Sequence, residues 1–357
     1  EEIEGEESLS SYLFIILSVV SKTFKILCLL ISSILYTQSG LENILLAGET
    51  DSKNLFNGYL QPVMKGSIYL MNSGWYSTSK VHKKFGFDLT LSLNSVLLPN
   101  TEKSFDISNF NFIQSNAKSL PTIFGESINN ELTVTIPKNN IQPQLSASFL
   151  APGGIKDKFP LGIVSSPSVQ ASLGLPFKSE ITIRYLPEYN RNRVYFSNYG
   201  FGLKHDLLQY FKFFNKIPAL NLSVFGAVSF MNINYDIQST KSFNGSNQIA
   251  TFDISNYKFQ ILSSLNFSIF EIYGGIGISG GRSLFTLLGD YELELLPVDD
   301  DNLFNINISD PLRLNYSIHE LSKNIGLKFK LIFLHAFIDY TFQEYDVISV
   351  GASINFR

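Results

Sequence analysis

Four histidines are the candidates in this sequence for a general base: His82, His205, His319 and His335. His335 and Asp339 are four residues apart, which is two periods of a β-strand, so their side chains would share one face. An imidazole beside an acid is an arrangement that hydrolases use to activate a nucleophile. On a polar strand face the same pair is more often part of a solvated hydrogen-bond network. We therefore expect no enzyme activity and keep a hydrolase acting at a membrane rim as the last of three hypotheses.

A second group of charges is the triplet Lys204, His205 and Asp206, which Glu180 and Arg184 would face from a neighbouring strand. The group could be a constriction that orients a ligand, or an ion-pair network that fills a narrow interior. The complete set of candidate interior residues is Glu180, Arg184, Lys204, His205, Asp206, Lys328, Lys330, His335 and Asp339.

Several kinds of chemistry have no signature in the sequence. There is no paired-histidine metal motif, no phosphate-binding loop and no dinucleotide fingerprint, so we expect neither a metal nor a cofactor. The net charge of −4 provides no basic face for a nucleic-acid partner. The single cysteine, Cys28, lies in a segment that we expect to be removed, which leaves no disulfide.

The elements that would position these side chains are β-strands. Apolar and polar residues alternate over the final segment, Ile348 to Phe356, and over three further stretches, 87–94, 169–175 and 336–342. Strands of about 9–11 residues suit a tilted membrane crossing, whereas sandwich strands are usually shorter. The pattern predicts an all-β fold, a transmembrane antiparallel β-barrel of about fourteen strands, with twelve to sixteen as the range.

The N-terminal region divides into three predicted segments before the barrel at 66–357. Residues 1–21 are interpreted as an over-extended N-terminus, and residues 22–39 as a signal peptide with a basic start and an apolar core. A single transmembrane helix over 12–36 is the rival interpretation, which Lys22 and Lys25 near its centre disfavour. Residues 40–65 carry a helical pattern and are predicted to form a lead-in or plug.

The predicted location is the outer membrane of a Gram-negative bacterium. Short turns would face the periplasm and long polar loops, such as 296–311, the exterior. The partners expected are outer-membrane lipids and the barrel-assembly machinery, whose substrates commonly end in a strand with an aromatic residue near the terminus, as here. The aromatic residues predicted to lie at the membrane interfaces are Trp75, Tyr76, Tyr185, Tyr340 and Phe356.

Several motifs are more specific than periodicity. They are Asn72-Ser73-Gly74-Trp75-Tyr76, Phe85-Gly86-Phe87-Asp88-Leu89-Thr90, Leu120-Pro121-Thr122-Ile123-Phe124-Gly125, Ile183-Arg184-Tyr185-Leu186-Pro187, Gly202-Leu203-Lys204-His205-Asp206 and Asp339-Tyr340-Thr341-Phe342-Gln343. With them the chain, over 41–357, resembles a family of exported bacterial proteins of unknown function regarded as outer-membrane barrels. The resemblance implies a fold and a location but no activity. In outline the chain is also similar to the FadL-type fatty-acid transport barrels, a likeness of architecture alone.

Three functional hypotheses follow, in this order. The first is a channel or transporter for small hydrophobic or amphipathic molecules, in which 40–62 would act as a hatch and a hydrophobic small molecule would be the ligand. The second is a structural or docking barrel for a secretion or surface complex. The third is the membrane-rim hydrolase.

Overall fold

The computed structural model describes residues 44–356 apart from 46, 109, 129, 139–143, 157–162, 192, 212–216, 218, 238–243 and 296–303. The predicted N-terminal extension and signal peptide lie outside this range. The described helices and strands are α1 (Gly48–Asn72), β1 (Phe87–Leu97), β2 (Ser104–Asp106), β3 (Ile113–Gln114), β4 (Ser119–Pro121), β5 (Glu131–Ile136), β6 (Leu145–Leu150), β7 (Ile163–Leu175), β8 (Ser179–Arg191), β9 (Val194–Asp206), β10 (Leu220–Asp236), β11 (Asn244–Asn266), β12 (Phe270–Leu295), β13 (Phe304–Ser309), β14 (Leu312–Leu331), β15 (Leu334–Phe342) and β16 (Val347–Phe356), with 3₁₀ turns at Asn100–Lys103 and Leu208–Tyr210.

Ten of these strands form a closed antiparallel barrel. Its order is β1-β7-β8-β9-β10-β11-β12-β14-β15-β16, and β16 pairs back onto β1 with Phe356 opposite Phe87. β13 lies outside the ring and pairs only with the end of β12. The all-β antiparallel barrel expected from the sequence is therefore present, with one helix before it.

The described residues thus form a ten-stranded ring, below the predicted range of twelve to sixteen barrel strands. β11, β12 and β14 run for 23, 26 and 20 residues, about twice the length that a membrane crossing needs. If every strand is assumed to have the length of one membrane crossing, a strand of this length is counted as two. The excess also includes the short strands β2 to β6, which pair among themselves in two small sheets outside the barrel.

The barrel has two different ends. One end, here called the turn end, carries Phe356 and the connections 176–178, 267–269 and 332–333. The other, the loop end, carries the long connections β1–β7, β10–β11 and β12–β14. Residues 98–162, which include β2 to β6, all belong to the first of these long connections.

In the turn-end part of the barrel the side chains are apolar outside and polar inside. On β11, Phe259 and Ile261 are about half exposed, whereas Lys258 and Gln260, which alternate with them, are buried. On β15, Ile338 is 48% exposed and Asp339 is 4% exposed. Such a surface is the reverse of a water-soluble protein, and it suits a hydrocarbon environment.

Towards the loop end the same strands reverse this pattern. On β11 the inward positions become Ile254, Phe252 and Ala250, all buried, while the outward positions become Ser255 and Asp253. β10, β12 and β14 change in the same way, with Met231, Phe285 and Leu314 inside. Since side-chain direction has a strict period of two, the reversal comes from the sequence and not from a slip in register. The barrel walls therefore continue beyond the apolar band as a water-facing structure with its own core.

Helix α1 starts in that loop-end core and runs down into the lumen. Leu55, Phe56 and Tyr59 pack in one hydrophobic cluster with strand residues from the loop-end walls and from β5 and β6. Asp51 in the first turn accepts backbone hydrogen bonds from Asn111 at 2.8 Å and Phe112 at 2.6 Å, which fixes the helix to the connection 98–162. No helix among the described residues is long and apolar enough to cross a membrane.

The helix also extends further than the sequence indicated. The predicted lead-in ends at residue 65, but α1 continues to Asn72, and the first barrel strand begins only at Phe87. Apolar residues at 68, 70 and 71 resemble the start of a strand pattern, and burial on all sides removes the helical periodicity that would distinguish them.

Candidate functional site

The candidate site is the occupied lumen, which the second half of α1 and the segment 73–86 cross from the loop end to the turn end. Asn72 donates to the carbonyl of Gly280 at 3.0 Å on one wall, and further down Ser79 Oγ donates to Asn221 O at 3.1 Å. At the turn end, Phe85 and Gly174 form a backbone hydrogen bond of 2.9 Å as the chain enters β1. The lumen is thus filled by the chain's own N-terminal part.

The end of α1 leaves backbone carbonyls that need hydrogen-bond partners in a buried environment. Two are satisfied locally, since Ser73 Oγ donates to Tyr69 O at 3.0 Å and Ser73 N donates to Leu70 O at 3.3 Å. Trp75 Nε1 donates to Met71 O at 3.1 Å. The remaining partners come from the barrel wall.

Arg184 of β8 is the wall residue that holds the helix end. It is 1% exposed, and it donates to Met71 O and Ser73 O at 3.0 Å each and to Gln170 Oε1 at 3.1 Å. Its guanidinium lies over the Trp75 ring, 3.9 Å from the centroid. The hydrogen-bond acceptors are neutral, so the negative end of the helix dipole takes the place of a carboxylate partner.

Lys258 of β11 supplies the second cation at the same helix end. Its Nζ donates to Asn72 O at 3.0 Å and lies 5.5 Å from the ring centroid of Tyr76. On the same strand, Asn256 Nδ2 donates to Ile68 O at 2.7 Å. Strands β8 and β11 therefore both hold the last turn of α1.

Below the helix, Tyr76 connects the crossing segment to β11 again and to β14. Its hydroxyl contacts Gln260 Oε1 and lies 2.8 Å from Asn324 Oδ1. Asn324 Nδ2 in turn donates to Asp339 at 2.6 Å, which also accepts from Thr341 Oγ1 at 3.1 Å. Asp339 is thus used in a structural network.

A layer of charges closes the turn end of the lumen. Glu180 accepts from Lys204 Nζ at 2.7 Å and contacts His82 Nδ1 at 2.7 Å. The other ring nitrogen of His82 lies 3.3 Å from Asp88. Lys204 and Glu180 pair within the wall, and His82 of the crossing segment joins Glu180 to Asp88.

Glycines in the wall make room for the aromatic side chains of the crossing segment. A Cβ at Gly200 would lie 2.8 Å from Trp75 Cη2, and one at Gly275 would lie 2.8 Å from the Tyr76 hydroxyl oxygen. Gly200 and Gly275 therefore let the wall and the crossing segment approach closely, whereas a Cβ at Gly274 or Gly277 would meet the backbone of a neighbouring strand.

At the loop end, Lys65 of α1 contacts the connection between β15 and β16. Its Nζ contacts Glu344 and lies 4.6 Å from the ring centroid of Tyr345. Burial raises the pKa of the Tyr345 hydroxyl far above its usual value, so the ring meets the ammonium as a neutral phenol.

The predicted interior residues have different positions. Six are buried inside the barrel: Glu180, Arg184, Lys204, Lys328, His335 and Asp339. Lys330 lies at the turn-end rim, where its Nζ donates to Phe267 O at 2.6 Å. His205 and Asp206 are only half-buried at the end of β9, where His205 contacts Ser179 and Tyr210. Leu203 and His205 point outward while Lys204 points inward, so the triplet does not act as one cluster.

His335 and Asp339 have separate environments inside the barrel. Asp339 bonds to Asn324 and Thr341, and His335 Nδ1 has no hydrogen-bond partner among the described residues. Both side chains are inside the barrel, but no described hydrogen bond joins them.

The predicted interfacial aromatic residues also separate into two groups. Tyr185, Tyr340 and Phe356 lie on the outward phase of their strands, and Phe356 stacks on Phe87 with a centroid distance of 4.6 Å. Trp75 and Tyr76 instead lie inside the lumen, where they are 3% and 7% exposed. The predicted interfacial position is wrong for these two residues. Both precede the first strand, so no strand pattern could indicate which way they face.

Sequence reasoning did not select some residues that the structure places in the lumen. Lys258 and Glu271 lie on the polar phase of β11 and β12, and this phase could have identified them as interior residues. His82 lies in the irregular segment before β1, where no periodic pattern identifies its neighbours.

The chain belongs to a family described as "Family of unknown function (DUF6588)", which it matches over residues 11–356. No curated protein matches the chain.

Three of the solved structures to which the chain is similar, all at low identity, illustrate the match in fold. Ail, the attachment invasion locus protein of Yersinia pestis, is 10% identical, with a TM-score of 0.26 over 77% of this chain and 100% of Ail. The outer membrane protease OmpT from Escherichia coli is 10% identical, with a TM-score of 0.26 over 80% and 100%. The toluene transporter TbuX of Ralstonia pickettii is 9% identical, with a TM-score of 0.16 over 77% and 89%.

Proposed function

We propose that this protein is an outer-membrane barrel that anchors a docking domain at the surface of a Gram-negative bacterium, with its lumen closed by its own N-terminal segment. The observation that carries the proposal is the reversal of polarity along the barrel strands. An apolar outer band at the turn end suits lipid, and the water-facing extension with a hydrophobic core suits a domain outside the membrane.

The height of the apolar band supports a membrane location. On β10 the outward residues from Leu222 to Phe230 are apolar apart from Gly226, and the next outward residues are Asn232 and Asn234. That stretch of about nine residues agrees with the length of a strand that crosses a bilayer. Aromatic residues mark its upper edge, where Tyr199 stacks on Phe230 with a centroid distance of 5.2 Å.

Insertion into lipid provides a first test. Ile338→Arg places a charge in the apolar band and should destabilise the inserted barrel by about 2–4 kcal/mol. The matched control is Leu288→Arg, on the outward side of the loop-end extension, which should change stability by less than about 1 kcal/mol. Folding titrations into phosphatidylcholine vesicles measure both. Equal effects of the two substitutions would contradict the proposed membrane band.

The filled lumen supports an anchoring function over a passive open channel. Residues from β8 and β11 hold the end of α1, and paired charges close the turn end. The full-length protein in planar bilayers should show no steady ionic conductance. A stable open-pore conductance of the wild-type protein would refute the closed state.

Surface labelling tests the direction of the loop-end domain. Ile128→Cys in the loop-end connection and Phe177→Cys in a turn-end connection both place a thiol at an exposed position, 52% and 87% respectively. A membrane-impermeant maleimide should label the first variant in intact cells and the second only after permeabilisation. The opposite pattern would show that the domain faces the periplasm.

A transporter in which α1 acts as a hatch is the second candidate, and the wall chemistry favours it. Hydroxyls of Ser168, Ser229 and Ser349 are buried in the lumen without a hydrogen-bond partner among the described residues. Withdrawal of α1 would expose a wall that suits an amphipathic or polar solute better than a hydrophobic one.

A reversible lock separates the two candidates. A Cβ at Gly66 would lie 3.6 Å from Val96 Cγ1, so side chains at these two positions of the helix and the wall are in contact. Oxidised Gly66→Cys/Val96→Cys protein should lose solute uptake, and reduction should restore it, if the helix is a hatch. Uptake that is unaffected by the lock would remove this candidate.

A further inference from the structure

A cavity of about 160 Å³ opens at the turn end, where the crossing segment leaves the lumen. Four lysines line it: Lys80, Lys83, Lys328 and Lys330. Glu271 is the one acid among the described lining residues. The four lysines therefore give the lining an excess of positive charge. The cavity lies outside the part of the lumen that α1 occupies.

Lys328 is the buried cation of this cavity. It is 3% exposed, yet no carboxylate of the described residues lies within 4.0 Å of its Nζ and no described hydrogen bond satisfies it. Burying an ammonium without a partner is costly, so such groups usually pair with an anion. Nearby His335 is 8% exposed, and its Nδ1 also has no described partner.

The acids close to Lys328 already have other partners. Glu271 contacts the Thr78 hydroxyl, and Glu180 pairs with both Lys204 and His82. Asp88 lies 3.3 Å from His82. The Thr78 hydroxyl is neutral, so Glu271 keeps its charge, but no described acid forms an ion pair with Lys328, and its ammonium is left to a ligand in the cavity. The exposed Lys80 and Lys83 at the rim would attract an anionic ligand.

We infer that this turn-end cavity binds a phosphate-type oxyanion, with Lys328 as its buried ligand and Lys80 and Lys83 as rim contacts. Lysine ammonium groups pair with phosphate as point charges and need no planar geometry. The phosphate could be free in solution or belong to the headgroup of an anionic lipid that reaches over the barrel rim, since the chemistry of recognition is the same.

The test uses the full-length protein in a non-ionic detergent, with inorganic phosphate as the probe in a chloride buffer. Isothermal titration should detect binding to the wild type. Lys328→Gln should weaken it by about tenfold or more, which is the loss of one charge-assisted hydrogen bond. Lys80→Gln/Lys83→Gln changes exposed residues only and should weaken binding severalfold, so it keeps the test valid if Lys328→Gln fails to fold. Lys103→Gln/Lys156→Gln at the loop end is the matched control.

A second arm distinguishes the two sources. Native mass spectrometry of protein taken from phosphatidylcholine vesicles with and without phosphatidylglycerol counts the retained lipids. Retention of phosphatidylglycerol by the wild type but not by the variants identifies a headgroup, whereas binding of free phosphate alone identifies a soluble ligand. Either result supports the site. Absence of binding in both arms, or equal binding by wild type and both cavity variants, would overturn it.

Discussion

Replacement of Arg184 by methionine tests whether the barrel wall holds the crossing segment. Methionine retains most of the length of the side chain but removes every donor. Met71 O then keeps only the Trp75 donor, and Ser73 O and Gln170 Oε1 lose the guanidinium altogether. The contact with the Trp75 ring is lost as well.

The size of the effect follows from these contacts. Each buried acceptor left unpaired costs about 1–3 kcal/mol, and the cation–π contact contributes about 1–2 kcal/mol more. The substitution also removes the cost of burying the charge of Arg184, which offsets part of this destabilisation. The net destabilisation is about 3–5 kcal/mol, as for other broken buried pairs. At about 1.4 kcal/mol per factor of ten, the population with a detached helix end should rise at least a hundredfold.

Amide hydrogen exchange of the full-length protein in detergent measures that population. Protection over residues 65–76 should fall by two or more orders of magnitude in Arg184→Met, while the barrel strands keep their protection. Arg282→Met is the matched control, because Arg282 is exposed on the outer face and bonds to Asn315. Unchanged protection of the helix end in Arg184→Met would refute the reasoning.

Three further substitutions test other contacts of α1 and the segment after it. Lys258→Met leaves Asn72 O without its wall donor. It should lower the free energy of opening of the last helical turn, measured by amide exchange, by about 1.5–3 kcal/mol, which is less than the effect of Arg184→Met. Gly200→Ala pushes a methyl group against Trp75 and should lower stability by about 1–3 kcal/mol in thermal unfolding. Gly226→Ala is the control and should be nearly neutral, because a Cβ there meets nothing closer than 3.7 Å. Equal effects of the two substitutions would exclude the clash. Asp51→Ala removes the acceptor of two backbone N–H groups and should speed limited proteolysis within 98–162 without loosening the barrel; unchanged cleavage would show that the contact is not needed there.

The alternation of apolar and polar residues was enough to predict the barrel and the face of most wall residues. Arg184, Lys328 and Asp339 were all selected as interior residues because they lie on the polar phase of strands with an apolar opposite phase. By the same rule His205 lies on the outward phase of β9, so the prediction that placed the whole triplet in the interior was wrong for it, and Asp206 is half-buried because it lies at the end of the strand. The number of strands was overestimated because β11, β12 and β14 are about twice as long as one membrane crossing, so each of them was counted as two strands.

The reversal of polarity was present in the sequence but could not be read from it. Ile254 and Phe252 on β11 look like lipid-facing residues until the strand's other half fixes which phase is inward. Only the closed ring of ten strands decides that these residues meet α1 in a core outside the apolar band.

The sequence by itself determined the class of fold, because a period of two is a local property of the chain that needs no partner. It also determined which polar side chains lie on the wall, including His335 and Lys328. Only the tertiary structure decided what the charges do, since their partners are far away along the chain: Arg184 meets Met71, and Glu180 meets His82. Those pairings join the wall to a segment without periodicity, and they depend on the closure of the barrel around it.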